Sequence, residues 1–180
     1  MIVINTGNGK GKTTAAIGAA VRAVGRGQRV LMVQFIKGPW KSGEDFIDIQ
    51  TSKKSSAKKR GKFKLKKMGL GFVGILGDKL PRSDHKNAAK KALVYIKEAL
   101  RSNKWDFIIM DEVNVAVSLK LITTKSVLDI LKNLPAEKIV MLTGRGAPKS
   151  FIKRADLVTE MKEIKHPYNK GKKAIENVEF

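Results

Sequence analysis

The sequence predicts an α/β fold: a mostly parallel sheet with helices on both faces. Three observations predict it. Apolar runs of strand length alternate with stretches of helical spacing, the pattern of a parallel sheet. The first such run leads straight into a glycine-rich loop and then an alanine-rich stretch. A length of 180 residues with 42% hydrophobic content suits one domain with a real core, residues 1–180.

The elements follow in order. Ile2-Val3-Ile4 reads as a strand and Ala15 to Val24 as a helix. Arg29 to Phe35 is a second strand, entered through the Gly25-Arg26-Gly27 break. Ala89, Ala92, Leu93, Ile96, Ala99 and Leu100 mark one face of a helix. Phe107 to Met110 is a short buried strand. Val127, Leu128, Leu131 and Leu134 predict a helix stopped by Pro135, and Lys138 to Leu142 another buried strand. Ala155 to Met161 is a weaker strand candidate. Residues Ser52 to Lys62 read as a flexible basic loop, and the tail beyond Pro167 has weak periodicity.

The loop names a ligand class. Gly7-Asn8-Gly9-Lys10-Gly11-Lys12-Thr13-Thr14 sits between a strand and a helix, the context in which backbone N–H groups and a helix N-terminus grip a polyphosphate. Lys12 is placed to reach a phosphate, and the Thr13 hydroxyl to ligate magnesium. The common spacing G-x-x-x-x-G-K-[ST] expects its first glycine at position 6; Thr6 stands there and Gly7 comes one residue late.

A second half of the site follows the strand Phe107–Met110, which ends in Asp111-Glu112. In phosphate-loop proteins an acidic group here completes the magnesium shell. Asp111 is assigned that role, directly or through water. Glu112 could orient water or bind a substrate amide or nucleoside group. Thr143-Gly144-Arg145-Gly146 follows the strand ending at Leu142. Arg145 could clamp a phosphate bidentately or be a solvated turn residue.

Composition narrows the chemistry. Zero cysteines exclude disulfides, thiolate catalysis and zinc–sulfur sites. Two histidines, His85 and His166, argue against a multi-histidine metal site within one chain. No long apolar run or signal-peptide pattern is present, so a soluble cytoplasmic protein without membrane contact is expected. The net charge of +21 favours anionic partners. Thr51 to Lys67 holds nine basic residues and no acidic one.

These residues together resemble the ATP:corrinoid adenosyltransferase family (cob(I)yrinic acid a,c-diamide adenosyltransferase, of the P-loop type). The resemblance runs nearly end to end. It includes the loop with its shifted glycine, Gln34-Phe35-Ile36-Lys37-Gly38 with Trp40, Gly43 and Glu44, and Met68-Gly69-Leu70-Gly71-Phe72. It continues through Asp111-Glu112 and the TGRG turn to Ala155–Met161 and Lys165-His166-Pro167-Tyr168.

The resemblance implies a P-loop NTPase-like, RecA-like sheet and a homodimer that uses magnesium. It implies that a cob(I) corrinoid attacks the 5′ carbon of ATP and releases triphosphate, in adenosylcobalamin synthesis or salvage. A flavoprotein-type electron donor is implied as a partner. Lys10, Lys12 and Thr13 would then stabilise the leaving polyphosphate. No general base is needed, because the reduced metal is the nucleophile. The family is thought to ease reduction by displacing the lower axial ligand of cob(II) with aromatic side chains, and Phe72 matches one such position. Where the best-known members carry a tryptophan two residues on, this chain has Gly74. Trp40 or Tyr168 could take its place.

Two rivals fit part of the sequence. A basic ATPase acting with nucleic acid would use the charge and the loop, but aromatics at 6% supply a base-stacking platform poorly, so nucleic acid is not the expected partner. An altered nucleotide- or corrinoid-binding relative is allowed by Gly74.

Overall fold

The computed structural model describes residues 1–52, 60–75, 77–166 and 171. In chain order the elements are β1 (Ile2–Thr6), α1 (Lys12–Gly25), β2 (Arg29–Gln34), a single 3-10 turn (Gly43–Phe46) and β3 (Lys62–Lys67). There follow α2 (Arg82–Arg101), β4 (Phe107–Asp111), α3 (Val113–Ser118), α4 (Thr124–Leu131), β5 (Ile139–Thr143), α5 (Lys149–Arg154) and β6 (Leu157–Glu160). The strands form one parallel sheet in the order β3-β2-β4-β5-β1-β6. This is the expected α/β architecture of P-loop NTPase type, with β5 between the loop strand β1 and the acidic strand β4.

Alternation along the strands divides the core in two. Ile2, Ile4, Leu31, Val33, Ile108, Met110, Val140 and Leu142 face one side, where α2 packs with Ala89, Leu93 and Ile96 and α5 with Phe151. Val3, Val30, Met32, Phe107, Ile109 and Met141 face the other, where α1 brings Ala16, Ala20 and Val24. Small residues let α1 lie close to the sheet. Each large aliphatic side chain fully buried here stabilises the fold by roughly 1.5–3 kcal/mol.

Three expectations change. Lys62–Lys67, read as part of the basic segment, is a parallel edge strand on β2. Its Phe63 and Leu65 turn toward the α1 side of the core, while the Lys66 ammonium lies 3.9 Å from the centre of the Tyr95 ring on α2. Alternating lysines hid this strand from the apolar-run criterion. The expected loop is correspondingly shorter: Thr51 is buried and donates to Val24 O at 2.7 Å, the Gly61 N–H returns a bond to its hydroxyl, and Lys62 is already in β3. Residues 53–59 of that loop, and Pro167 and Tyr168 in the tail, lie outside the described residues. Finally, α4 ends at Leu131, with Leu134 in the turn beyond it, and β6 is a short strand exposed on both faces.

Register places the functional ends. Gln34 pairs with Asp111, Met110 with Leu142, and Asn5 with Thr143. The last residues of β2, β4 and β5 and the loop after β1 therefore meet at the carboxyl edge, where open α/β sheets bind ligands.

Candidate active site

The glycine loop is fixed by a crossing chain. Met161 N–H donates to Thr6 O at 2.8 Å, and Gly9 N–H donates to Met161 O at 2.7 Å. A Cβ on Gly9 would lie 2.6 Å from Lys162 O, and one on Gly7 2.8 Å from Met161 N. Gly7 also has φ 95°, a conformation natural to glycine. The late first glycine thus has a physical reason: the backbone after β6 lies too close to positions 7 and 9 for a side chain there. Thr6 uses its hydroxyl to accept from Ala147 N–H at 3.2 Å.

Helix α1 starts at Lys12, three residues earlier than its alanines indicate. Ala15 N–H makes the bond to Gly11 O at 2.7 Å, so the N–H groups of Lys12, Thr13 and Thr14 point out of the helix end, ready for an anion. Gly9 N–H is not available to a ligand, being committed to Met161. Lys12 is 7% exposed and its Nζ donates to Gly9 O at 2.5 Å. Burial pushes the Lys12 ammonium below the ordinary lysine range, while Glu112 and Asp111 oppose that shift. A buried, underpaired cation is what a polyphosphate would relieve.

Asp111 is fully buried at the end of β4. Its Oδ1 accepts from Thr13 Oγ1 at 2.9 Å and Thr143 Oγ1 at 2.6 Å, and its Oδ2 from Gln34 Nε2 at 3.1 Å. Burial raises its pKa and these bonds oppose the rise. Gln34 also donates to Glu44 Oε1 at 3.2 Å, leaving its own Oε1 buried without a hydrogen-bond partner. Glu44 stands on the 3-10 turn and is paired with Lys37. Burial would raise Glu44, yet the bond from Lys37 holds it below its ordinary value. Gln34, Lys37 and Glu44 carried no assigned role in the sequence; their signal there was their place in the segment Gln34–Glu44 that carries the family resemblance.

Glu112 follows in a left-handed conformation, φ 61°, with its N–H on Thr143 Oγ1 at 3.0 Å. Burial and the neighbouring Asp111 charge push its carboxyl up to about 7, against Lys12 and Arg145. The αL residue turns the chain out of β4 and into α3.

Two clefts open on this edge, each of about 780 Å³. The polar one is lined by Gly9 to Thr14, Glu44 and His166. The apolar one is lined by Ile36, Trp40, Val73, Ile75, Val115 and Leu119. Lys37, Phe72, Glu112 and Arg145 line both. Of the sequence-assigned residues, Lys10, Lys12, Thr13, Thr14, Glu112, Arg145 and Phe72 therefore surround the polar cleft, and Asp111 lies beneath Thr13. Gly7 supports the loop from behind, and Asn8 faces a neighbouring polar hollow with Arg145 and Lys162. Phe72 is 46% exposed, not a core residue, and its ring centre is 5.8 Å from that of Trp40. A side chain at Gly74 would meet nothing within 4 Å, although φ 69° favours glycine there.

A parallel sheet, a phosphate-loop sequence and a buried acid two strands away define an α/β protein of nucleotide-binding type, with a second, apolar cleft beside the polar one. The family model described as ATP:corrinoid adenosyltransferase BtuR/CobO/CobP matches residues 1–180. The chain is 33% identical over 184 residues to a corrinoid adenosyltransferase of Escherichia coli K12, covering all of this chain and 85% of that one. It is 37% identical over 187 residues to one from Sinorhizobium sp., covering all of this chain and 80% of that one. A Salmonella typhimurium relative of the same description is 32% identical over 184 residues, with 100% and 85% covered. The chain belongs to the ATP:corrinoid adenosyltransferase family.

Proposed function

We propose that this protein transfers the 5′-deoxyadenosyl group of ATP to the cobalt of a reduced cob(I) corrinoid, in adenosylcobalamin synthesis or salvage. The observation that carries the reading is the pair of clefts, one polar and one apolar, with Lys37, Phe72, Glu112 and Arg145 as their common wall. ATP lies in the polar cleft with its phosphates against the α1 N-terminus, Lys10, Lys12 and Arg145. The corrin lies in the apolar cleft on Phe72 and Trp40. The cobalt–carbon bond forms as the C5′–oxygen bond breaks, and the electron pair leaves with triphosphate.

The residues do positioning and electrostatic work. Lys12, already desolvated, meets the leaving charge at no cost in reorganisation. Magnesium fits the donor set: Thr13 Oγ1 and Asp111 are hard oxygens, and the free buried Gln34 Oε1 lies beside them. Among the described residues no group of three or more His, Asp or Glu could hold a metal, so the fit is to an ion carried in on phosphate oxygens. When bound, magnesium supplies charge neutralisation to the polyphosphate. Trp40 beside Phe72 supplies the second aromatic surface that Gly74 does not. A homodimer, a cytoplasmic location and a flavoprotein-type reductant complete the reading. No helix among the described residues is long and apolar enough to cross a membrane.

The test is anaerobic cob(I)alamin with magnesium and ATP. The visible spectrum of a cobalt–carbon bond and stoichiometric triphosphate are expected. ADP and phosphate without a spectral change would refute the reading.

A further inference from the structure

Outside the two clefts stands a buried histidine that the chemistry above does not use. His85, near the start of α2, is 3% exposed. Its Nε2 lies 3.0 Å from Asp78 Oδ2. The same carboxylate accepts Gly74 N–H at 2.8 Å on Oδ2 and Leu80 N–H at 3.1 Å on Oδ1. One side chain thus gathers donors from residues 74, 80 and 85. Neither His85 nor Asp78 lines either cleft.

Gly74 lies next to the apolar cleft. Phe72, Val73 and Ile75 all line it, and Phe72 and Ile75 are 46% and 59% exposed, so packing alone holds them weakly. The start of the stretch is tied to the end of β2: Gly69 N–H donates to Gln34 O at 3.1 Å and Gly71 N–H to Ile36 O at 2.9 Å. The far tie is Asp78 through Gly74. Between the two ties hang Phe72 and Val73. A buried imidazole is costly unless hydrogen-bonded, and an apolar residue would fill the position without that cost. The pair is accounted for by what it holds.

We propose that Asp78 and His85 are positioning residues for the corrinoid step: their clasp on Gly74 N–H sets the backbone that presents Phe72 to the corrin. This rests on the reading that the apolar cleft takes the corrinoid. It goes beyond that reading by assigning a role to two residues remote from both ligands. The phosphate loop is held separately, by Met161, so the clasp does not bear on the groups that face the phosphates.

The test uses the full chain with Trp105→Phe, leaving Trp40 as the single tryptophan that reports on Phe72. His85→Leu, His85→Gln and Asp78→Ala are compared for binding of magnesium-ATP, and of cob(II)alamin in its presence. Expected for His85→Leu and Asp78→Ala is a cob(II)alamin Kd raised about tenfold, with ATP affinity within about twofold and a shifted Trp40 emission in the ligand-free protein. His85→Gln, which keeps a donor toward Asp78, restores most of the affinity. Unchanged corrinoid affinity in both disruptive variants overturns the proposal. So does parallel loss of ATP and corrinoid binding in both, the behaviour of a general fold staple. Failure of the wild-type protein to bind cob(II)alamin would sink the functional reading, and this inference with it.

Discussion

Two loops face the polar cleft, and they are built in opposite ways. The loop Gly7–Thr13 is crossed by the Met161–Lys162 backbone, and its Lys12 is 7% exposed and bonded inside the loop. The stretch from Gly71 to Ile75 presents Phe72 at 46% and Ile75 at 59% exposure and is tied through the N–H groups of Gly71 and Gly74. The difference follows from the ligands proposed for each. A polyphosphate rewards donors fixed before it arrives, since preorganised charge need not rearrange during reaction. A broad apolar ring rewards any surface that excludes water, because hydrophobic contact has no direction. The first loop must be rigid; the second needs only a platform in the right place.

Breaking the rigid loop should therefore cost most. Gly9→Ala forces a Cβ against Lys162 O, and magnesium-ATP affinity is expected to fall more than about 100-fold by titration calorimetry, since the phosphate cradle is backbone. Near-normal affinity would show that the loop yields and would erase the contrast. Lys12→Ala leaves the backbone intact and removes charge-assisted bonds worth about 1.5–3 kcal/mol. It should cost about 10- to 100-fold in ATP affinity, with the far-UV spectrum unchanged; unaltered ATP affinity would reject the phosphate role.

The platform should tolerate more. Phe72→Ala is expected to slow turnover from cob(II)alamin more than from chemically reduced cob(I)alamin, and equal losses would count against a role in the reduction step. A double-mutant cycle of Phe72→Ala and Trp40→Ala should give a coupling of about 0.5–1.5 kcal/mol in corrinoid affinity; strict additivity would mean that the rings work apart.

The smallest effect is on stability. Glu112 titrates at about 7 in the folded chain against 4.5 ordinarily. The folded state then holds the proton more tightly than the unfolded chain, so this contribution is present below about 4.5 and is lost as pH rises to about 7. Glu112→Gln should flatten that part of the Tm–pH curve in nucleotide-free, magnesium-free buffer. Coincident slopes in the two proteins would dispose of the shift.

Much of this was legible in the sequence. Strand, glycine loop and helix in immediate succession located the loop proposed to hold the phosphates, and the apolar run into Asp111-Glu112 located the buried acid, because both signals are local. Lys62–Lys67 was not legible as a strand. An edge strand needs only alternate residues inward, and lysines filled the rest. Trp40 and Phe72 were visible as aromatics, yet their 5.8 Å approach joins two loops across the end of β2. Gln34 gains its place beside Asp111 from the strand register, and Glu44 joins the group through a hydrogen bond from Gln34 Nε2.

The amino-acid order by itself determined the fold class, the glycine turn proposed to bind the anion and the oxygens proposed to face the metal, since each depends on neighbours within a few residues. Only the tertiary structure decided why Gly7 and Gly9 are glycine, that one wall serves both clefts, and that a histidine on α2 meets the carboxylate that holds Gly74 N–H. Those facts depend on chain segments that approach through space, and pairwise approach is not written in any single stretch of residues.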